Sequence, residues 1–161
     1  MTRIDEVAST PVVHDQLVSV CNEEKIYDWL FRRLFDGEPY KEKNSVGFFR
    51  SGAEGWKNNH SFVFLLVTEL GEVAAAIDIK APDIEKSEIG YWASERHRGC
   101  MTNTVIALLS IAKDAGYRSL FARVRKANLN SVGVLARSGF TLSPTDEDET
   151  YDFYRIELNK K

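Results

Sequence analysis

The amino-acid sequence predicts an α/β (α+β) fold, a mixed and mostly antiparallel sheet with helices on both faces. Three strand-like runs lie between residues 61 and 94, and the turn signals Leu70-Gly71 and Pro82-Asp83 separate them, so hairpins can join them as antiparallel neighbours. A strand, a helix and a strand follow over residues 85–124, which predicts a parallel pair with a right-handed crossover. We expect the sheet to splay where this parallel pair meets antiparallel strands.

The size and charge of the chain are those of an ordinary globular domain. Its 161 residues suit a single domain over 1–161, with 43% hydrophobic and 28% charged residues. The net charge of −3 does not favour nucleic acid or an anionic membrane as partner, and no apolar run approaches the ~18 residues of a membrane-spanning helix. Cys21 and Cys100 lie far apart and fit reduced thiols, so we expect a cytoplasmic protein. The sequence leaves a homodimer open.

The first forty residues predict a lead-in, a strand and a helix. Residues 1–10 are polar and are predicted to be a flexible, frayed lead-in, while residues 12–20 have the composition of a strand. Asn22 is a good helix N-cap, and the acids Glu23 and Glu24 suit the first turn. Helical spacing then continues to a stop at Gly37 and Pro39, through Ile26, Trp29, Leu30, Arg33 and Leu34.

The remaining elements follow from periodicity and turn signals. A second helix is predicted over residues 44–57, although Gly47, Gly52 and Gly55 weaken it. The following elements are a hairpin of strands over 61–69 and 72–80, a strand over 85–94, a helix ending near Gly116, a strand over 118–124, a short helix from Asn128 to a C-cap at Gly139, an acidic loop over 143–149 and a last strand over 150–158. Met101, Val105, Leu108, Leu109 and Ala112 keep the period of 3.6 in the third helix.

The segment from Arg96 to Val105, RHRGCMTNTV, has the setting of an anion-binding loop. It follows the strand-like EIGYWAS of residues 88–94 and runs into a helix-like segment that ends near Gly116. A turn containing Arg98-Gly99 leaves backbone N–H groups free at the helix N-terminus, where the helix dipole also favours negative charge. The sequence therefore predicts a site for an anion, typically a phosphate, at the start of this helix.

Three segments of the chain resemble the GNAT family of N-acetyltransferases, which bind acetyl-CoA at such a loop. The first is EIGYW over 88–92, followed by His97-Arg98-Gly99. The most specific is residues 120–140, where Asn128-x-x-Ser131, Val134-Leu135 and Ser138-Gly139-Phe140 follow the ending of the Rim-type branch, which acetylates ribosomal-protein N-termini. The weakest is Trp29 with the later Gly55-Trp56. The resemblance implies a GNAT fold whose splayed strands hold the pantetheine arm of the cofactor.

The phosphate loop departs from the family pattern Arg/Gln-x-x-Gly-x-Gly/Ala. Without gaps, Met101 and Asn103 stand where the family has small residues. A loop two residues shorter instead puts Met101-Thr102 just inside the helix, and helical periodicity favours this second alignment. In both cases a glycine is missing, and a non-glycine residue with positive φ is strained. We expect pyrophosphate binding to be weakened or reshaped, with Arg96, Arg98 and the helix N–H groups still available for the charge.

The resemblance also implies which residues contact acetyl-CoA. Backbone N–H groups on the cofactor-facing strand would receive the thioester carbonyl and the pantetheine amides. Asn128 would bind the pantetheine arm, and Ser131 would lie near the sulfur as a proton donor, although a helix cap explains both residues equally well. The full cofactor set is Ile89, Tyr91, Ala93, Arg96, Arg98, Gly99, Cys100, Met101, Thr102, Asn103, Asn128 and Ser131.

The implied chemistry is direct acetyl transfer in a ternary complex, without an acyl-enzyme. Glu88 is the candidate general base, with an ordinary surface glutamate as the equal alternative. Asp78, Trp29 and Trp92 are candidates for binding the amine, and Cys100 is expected to be an ordinary loop thiol. The family's tyrosine acid is replaced by Leu135, with Tyr151 and Tyr154 as weak alternatives. His14 and His60 lack metal-ligand spacing, so no metal is expected.

Two functions are compatible with this pattern. The first is an acyl-CoA-dependent N-acetyltransferase that moves an acetyl group from acetyl-CoA, as co-substrate, to the primary amine of a protein N-terminus or a small molecule. The alternative is a catalytically degenerate GNAT-fold protein that binds a ligand or a partner, which the missing loop glycine favours.

Overall fold

The computed structural model describes residues 1–144 and 149–158. The helices of this part are α1 (Pro11–Cys21), α2 (Glu24–Ile26), α3 (Glu42–Lys57), α4 (Cys100–Asp114) and α5 (Leu129–Arg137). Its strands are β1 (Thr2–Arg3), β2 (Phe62–Val67), β3 (Val73–Ile79), β4 (Ser87–Ala93), β5 (Ser119–Arg125), β6 (Thr141–Leu142) and β7 (Tyr151–Glu157). The strand order is β1-β2-β3-β4-β5-β7-β6, with β4 and β5 parallel, which confirms the mixed, mostly antiparallel α/β fold class.

The chain divides into two compact units, one made of residues 1–78 and 91–98 and the other of residues 79–90 and 99 onwards. Within the described residues, every helix is too short or too polar to span a lipid bilayer.

The first residues of the chain belong to the first unit's sheet, and the prediction of a frayed lead-in is wrong for them. Thr2 pairs with Leu65 and Arg3 with Phe64 in an antiparallel ladder between β1 and β2. Ile4 follows in a 3-10 turn and is 1% exposed in the hydrophobic core. The Arg3 guanidinium lies 4.1 Å from the ring centroid of Trp56. A single buried isoleucine and one cation–π contact thus anchor a segment whose polar composition suggested disorder.

Residues 12–20 form helix α1, so the prediction of a strand there is wrong. Thr10 caps the helix, because its Oγ1 accepts a hydrogen bond from the Val13 N–H at 3.3 Å, and Pro11 occupies the first turn. The buried residues are His14, Leu17, Val20 and Cys21, which recur at helical spacing. The Thr-Pro start signal and this spacing outweigh the β-branched composition of the segment.

Helix α2 is short and continues as a π-helical segment, Tyr27–Phe31. Asn22, predicted to be its N-cap, instead ends α1, and its Nδ2 donates to the carbonyls of Val18 and Tyr40. The wider turn rotates the buried face, because the Arg32 N–H donates to the carbonyl of Tyr27 five residues back. The predicted stripe is therefore partly wrong, because three of its five positions are exposed, namely Arg33, Leu30 at 43% and Leu34 at 68%.

Helix α3 confirms the predicted second helix and explains two of its three glycines. A Cβ atom on Gly52 would lie 2.7 Å from Ile4 Cγ2, and one on Gly55 would lie 2.2 Å from Ser61 Oγ. Only a residue without a side chain fits at these two positions. A Cβ atom on Gly47 would meet nothing within 4 Å, so this glycine is simply a weak helix former.

The second unit contains the predicted strand-helix-strand crossover. The parallel register pairs Ser87 with Leu120 and Glu88 with Phe121, whereas β5 and β7 pair over seven residues. Of the five predicted α4 positions, Met101, Val105, Leu108 and Ala112 are buried and Leu109 is half-buried, which confirms the helical phase. The strand β6 was not predicted, and residues 145–148 of the predicted acidic loop lie outside the described residues.

Candidate active site

The loop between β4 and α4 is a short 3-10 turn followed by one glycine. Ser94 caps the turn Glu95–His97, and its Oγ accepts a hydrogen bond from the Arg96 N–H at 3.2 Å. Gly99 then has φ +91° at the N-cap of α4. Met101 lies inside the helix and is 6% exposed, so it does not occupy a left-handed position. This agrees with the alignment in which Met101-Thr102 begin the helix, and the expected strain at Met101 is absent.

The first turn of α4 has the geometry of an anion site within the second unit. The N–H groups of its first residues have no acceptor inside the helix, and the helix dipole adds positive potential there. Arg137, from the last turn of α5, places its Nε 3.3 Å from Thr102 Oγ1. An anion bound at this turn would therefore meet the Arg137 guanidinium as well as the helix N–H groups. No sequence motif points to Arg137, because 35 residues separate it from Thr102.

The predicted phosphate ligands of the loop pair with carboxylates of the first unit. Arg96 lies 3.9 Å from Glu72, and Arg98 lies 3.5 Å from Glu95, and the two arginine side chains are 72% and 68% exposed. His97 Nε2 also lies 3.4 Å from Glu72. Exposed ion pairs of this kind contribute roughly 0–1 kcal/mol, so either arginine can exchange its carboxylate for a phosphate at little cost.

Glu23 holds the start of this loop, a role that the sequence did not reveal. Its carboxylate accepts hydrogen bonds from Ser94 Oγ at 2.7 Å and from the Glu95 N–H at 2.6 Å. The Ser94 side chain is almost completely buried, at 1% exposure. Hydrogen bonds to a charged acceptor are stronger than neutral ones. Glu23, which lies between α1 and α2, therefore fixes the turn that precedes the anion site.

Glu88 is engaged by two cations of the second unit. Its Oε1 lies 3.1 Å from Lys80 Nζ and 3.2 Å from Arg123 Nε, and the side chain is 17% exposed. Glu88 is therefore neither a free surface glutamate nor a base without a partner. Any catalytic use of this carboxylate involves the two cations that hold it.

Asn128 and Ser131 lie together at the start of α5. The Asn128 Oδ1 accepts a hydrogen bond from the Ser131 N–H at 3.3 Å, so the capping role is real. Leu135, where many relatives have a tyrosine, is fully buried. The amide nitrogen of Asn128 is not used by the cap and is the group with which this residue would contact a cofactor.

The other predicted residues are divided between the units. Tyr91, Ala93, Trp29, Asp78 and Trp92 belong to the first unit, where all are half-buried and Trp92 packs on the hydrophobic core. Ile89, in the second unit, is 2% exposed, so only its backbone can meet a ligand. In the loop and first turn of α4, Cys100 and Thr102 are half-buried and Asn103 is exposed.

The cysteines have the properties of inert thiols. Burial raises the pKa of the Cys21 thiol to about 12, and partial burial also raises the pKa of Cys100. A reactive cysteine needs a lowered pKa. Burial and the nearby Asp152 likewise raise the pKa of Tyr154, one of the weak candidates for the acid. Within the described residues, no three His, Cys, Asp or Glu side chains form a group that could hold a metal ion.

Solved structures of acetyltransferases share the fold of this chain. The microcin C7 self-immunity acetyltransferase MccE, in complex with acetyl-CoA and AMP, aligns with a TM-score of 0.76 and 18% identity over 91% of this chain and 87% of its own. The ribosomal L7/L12 α-N-protein acetyltransferase RimL, in complex with coenzyme A, aligns with a TM-score of 0.75 and 20% identity over 91% of this chain and 87% of its own. The Campylobacter jejuni N-acetyltransferase PseH, in complex with acetyl-coenzyme A, aligns with a TM-score of 0.69 and 16% identity over 98% of this chain and 97% of its own.

These identities show the fold alone, and the family is shown by a separate match. No curated protein sequence matches the chain significantly. The family model described as the acetyltransferase (GNAT) domain matches residues 10–141, which is most of the chain and includes the loop, α4 and α5. The chain therefore belongs to the GNAT acetyltransferase family and is an N-acetyltransferase.

Proposed function

We propose that the protein transfers an acetyl group from acetyl-CoA to a primary amine by direct transfer in a ternary complex. The observation that carries the proposal is the first turn of α4, where Gly99 has φ +91° and Arg137 donates a hydrogen bond to Thr102 Oγ1. The pyrophosphate of acetyl-CoA has the charge and size for such a site. MccE and PseH, which share the fold, bind acetyl-CoA according to their structures.

The remaining cofactor contacts follow the family pattern. The backbone N–H groups of Ile89, Tyr91 and Ala93 would bind the thioester carbonyl and the pantetheine amides. The Asn128 amide nitrogen would bind the arm, and Ser131 would protonate the leaving thiolate. Among the loop cations, Arg96 and Arg98 would exchange their exposed carboxylate partners for phosphate oxygens. Cys100, Met101, Thr102 and Asn103 would contribute backbone groups.

The chemistry needs a deprotonated amine held in line with the thioester. Positioning supplies most of the rate in such a reaction. Glu88 would accept the ammonium proton, directly or through a water, while Asp78, Trp29 and Trp92 would bind the amine. The inert thiols support direct transfer rather than an acyl-enzyme. RimL is named as a ribosomal L7/L12 α-N-protein acetyltransferase and MccE as a microcin C7 self-immunity acetyltransferase. The acceptor proposed here is the primary amine of a protein N-terminus or of a small molecule.

One observation favours the alternative, a family member that binds its ligand without catalysis. Lys80 and Arg123 both pair with the Glu88 carboxylate, so an incoming amine would have to compete with two cations for it. The missing loop glycine no longer favours this alternative, because Gly99 supplies the positive φ. A cytoplasmic location and a homodimer stay predictions from the sequence.

Thermal unfolding with and without acetyl-CoA tests the cofactor site. At a hundredfold excess over its dissociation constant, a ligand adds about 2.7 kcal/mol of stability, which raises the midpoint by roughly 5 to 10 °C for a chain of this size. Adenosine at the same concentration is the control, because it lacks the pyrophosphate. An unchanged midpoint at millimolar acetyl-CoA would contradict the proposal.

Changing Arg137 to glutamine should weaken acetyl-CoA binding about fivefold to tenfold, because a charge-assisted hydrogen bond to a phosphate oxygen is lost. The matched control is Lys113→Gln, which removes one positive charge from the last turn of helix α4. Isothermal titration calorimetry at two salt concentrations gives the affinities. The difference in acetyl-CoA affinity between the native chain and the Arg137 variant should become smaller at high salt. If both variants lose the same affinity, Arg137 has no local role in binding.

A further inference from the structure

One face of strands β5 and β7 combines arginines with aromatic rings. In the antiparallel register, Arg125 is opposite Tyr151, Arg123 is opposite Phe153 and Phe121 is opposite Arg155. Directly opposed residues share a face of the sheet, so each of the three pairs joins one arginine to one aromatic ring. We call these six residues the arginine–aromatic face. The alternate residues of β5, Leu120, Ala122 and Val124, are buried on the other side.

Cation–π contacts order the cations of this face. The Arg123 and Arg125 guanidinium carbons lie 5.9 and 5.8 Å from the centroid of the Tyr151 ring. Lys86 Nζ lies 5.2 Å from the ring of Phe121. An arginine held over a ring is positioned before an anion arrives, with its N–H groups at the edge of the ring.

Two of the three arginines on the arginine–aromatic face have a carboxylate partner among the described residues. Arg123 pairs with Glu88 and Arg155 with Glu157, at 3.2 and 2.7 Å. Arg125 is half-buried, and within residues 1–144 and 149–158 it has no ion pair. A guanidinium that has lost part of its water interacts more strongly with an anion than a fully exposed one does. An added anion is therefore expected to gain the most binding free energy at Arg125.

The candidate base, Glu88, contacts the arginine–aromatic face, because its carboxylate pairs with Arg123. On the basis of the proposed function, we propose that the acceptor is a small molecule that carries an anionic group, a carboxylate or a phosphate, together with its amine. The anionic group binds Arg125 while the amine lies near Glu88. Arginine suits both anions, since its planar fork donates two parallel hydrogen bonds to either one.

The proposal is tested by measuring acetyl transfer to pairs of acceptors that differ only in an anionic group. β-Alanine is compared with β-alaninamide, and phosphoethanolamine with ethanolamine, so that each pair shares a primary amine and differs in an anion. We expect kcat/KM to be about tenfold or more higher for an anionic member, and Arg125→Gln to remove that advantage while changing the neutral member by about twofold or less. The pair with the larger advantage identifies carboxylate or phosphate as the anion.

Arg118→Gln is the control, because Arg118 is exposed, pairs with Glu85 and lies outside the arginine–aromatic face. It should leave the anionic advantage unchanged. Equal use of the neutral acceptors, or equal effects of the two substitutions, would overturn the proposal. If Arg125→Gln does not fold, Arg125→Lys keeps the charge, loses the two-pronged geometry and should reduce the advantage partly.

A binding measurement separates this inference from the proposed function. Inorganic phosphate and acetate are titrated into the isotope-labelled protein while the side-chain Nε–H signals of its arginines are followed by NMR. A saturable shift that Arg125→Gln abolishes supports the anion site even if no amine is acetylated. Transfer that prefers neutral amines, with no saturable shift, overturns the inference and leaves the proposed function standing.

Discussion

Replacing Gly55 with alanine should destabilise the protein by about 3 kcal/mol, at the upper end of what overpacking usually costs. A Cβ atom there would lie 2.2 Å from Ser61 Oγ and 2.7 Å from the Ser61 carbonyl oxygen. The hydroxyl can rotate away, but the carbonyl belongs to the backbone that turns from α3 into β2. The Gly55 carbonyl also accepts a hydrogen bond from the His60 N–H at 3.0 Å, which holds that turn in place. Urea unfolding gives the free energy of both proteins.

The matched control is Gly47→Ala in the same helix. Nothing lies within 4 Å of a Cβ at Gly47, so alanine should stabilise the helix by up to about 1 kcal/mol through propensity alone. The two identical substitutions therefore have opposite expected signs. A shift in the same direction, or a Gly55 variant as stable as the native chain, would show that the close approach of α3 to Ser61 is wrong.

Replacing Glu23 with alanine should loosen the loop before α4 and weaken acetyl-CoA binding about tenfold. The change removes both acceptors of the turn, so the nearly buried Ser94 hydroxyl loses its partner, at a cost of about 1–3 kcal/mol in stability. A loop that must be ordered on binding lowers the affinity by the free energy of that ordering. Glu23→Gln keeps one acceptor oxygen and should recover part of both losses.

Glu24→Gln is the control for charge, because Glu24 is the adjacent, exposed acid at the start of α2. It should change neither stability nor affinity measurably. Affinities are compared at a temperature where all variants are folded, so that unfolding does not enter the binding constant. A Glu23 variant that is less stable yet binds acetyl-CoA as tightly as the native chain would mean that the contact supports folding only.

The second half of the fold could be predicted well because its signals are local and consistent. The Asn128 cap, the period of α4 and the turn at Gly139 each lie within a few residues of the element that they define. The first half fails where local signals conflict. Residues 12–20 have strand composition but a Thr10-Pro11 helix start, and the π-helical turn after α2 breaks the period of 3.6 on which the apolar stripe depends.

In the candidate site, too, the parts that are local in the sequence could be predicted and the long-range contacts could not. The loop from Ser94 to Gly99 and the start of α4 are contiguous, so motif and periodicity could locate them. Glu23 reaches Ser94 across 71 residues and Arg137 reaches Thr102 across 35, which no local pattern encodes. The pairing of Lys80 and Arg123 with Glu88 depends on strand register, which no local pattern encodes either.

An acetyl-transfer assay decides whether this protein is a catalyst. The full chain is incubated with acetyl-CoA and a panel of primary amines, and released CoA thiol and acetylated amine are measured together. We predict one thiol released for each acetylated amine, only when both substrates are present and without acetylation of Cys100. Binding of acetyl-CoA with no thiol released above the enzyme-free rate, for any amine, would contradict catalysis and identify the protein as a ligand-binding member of its family.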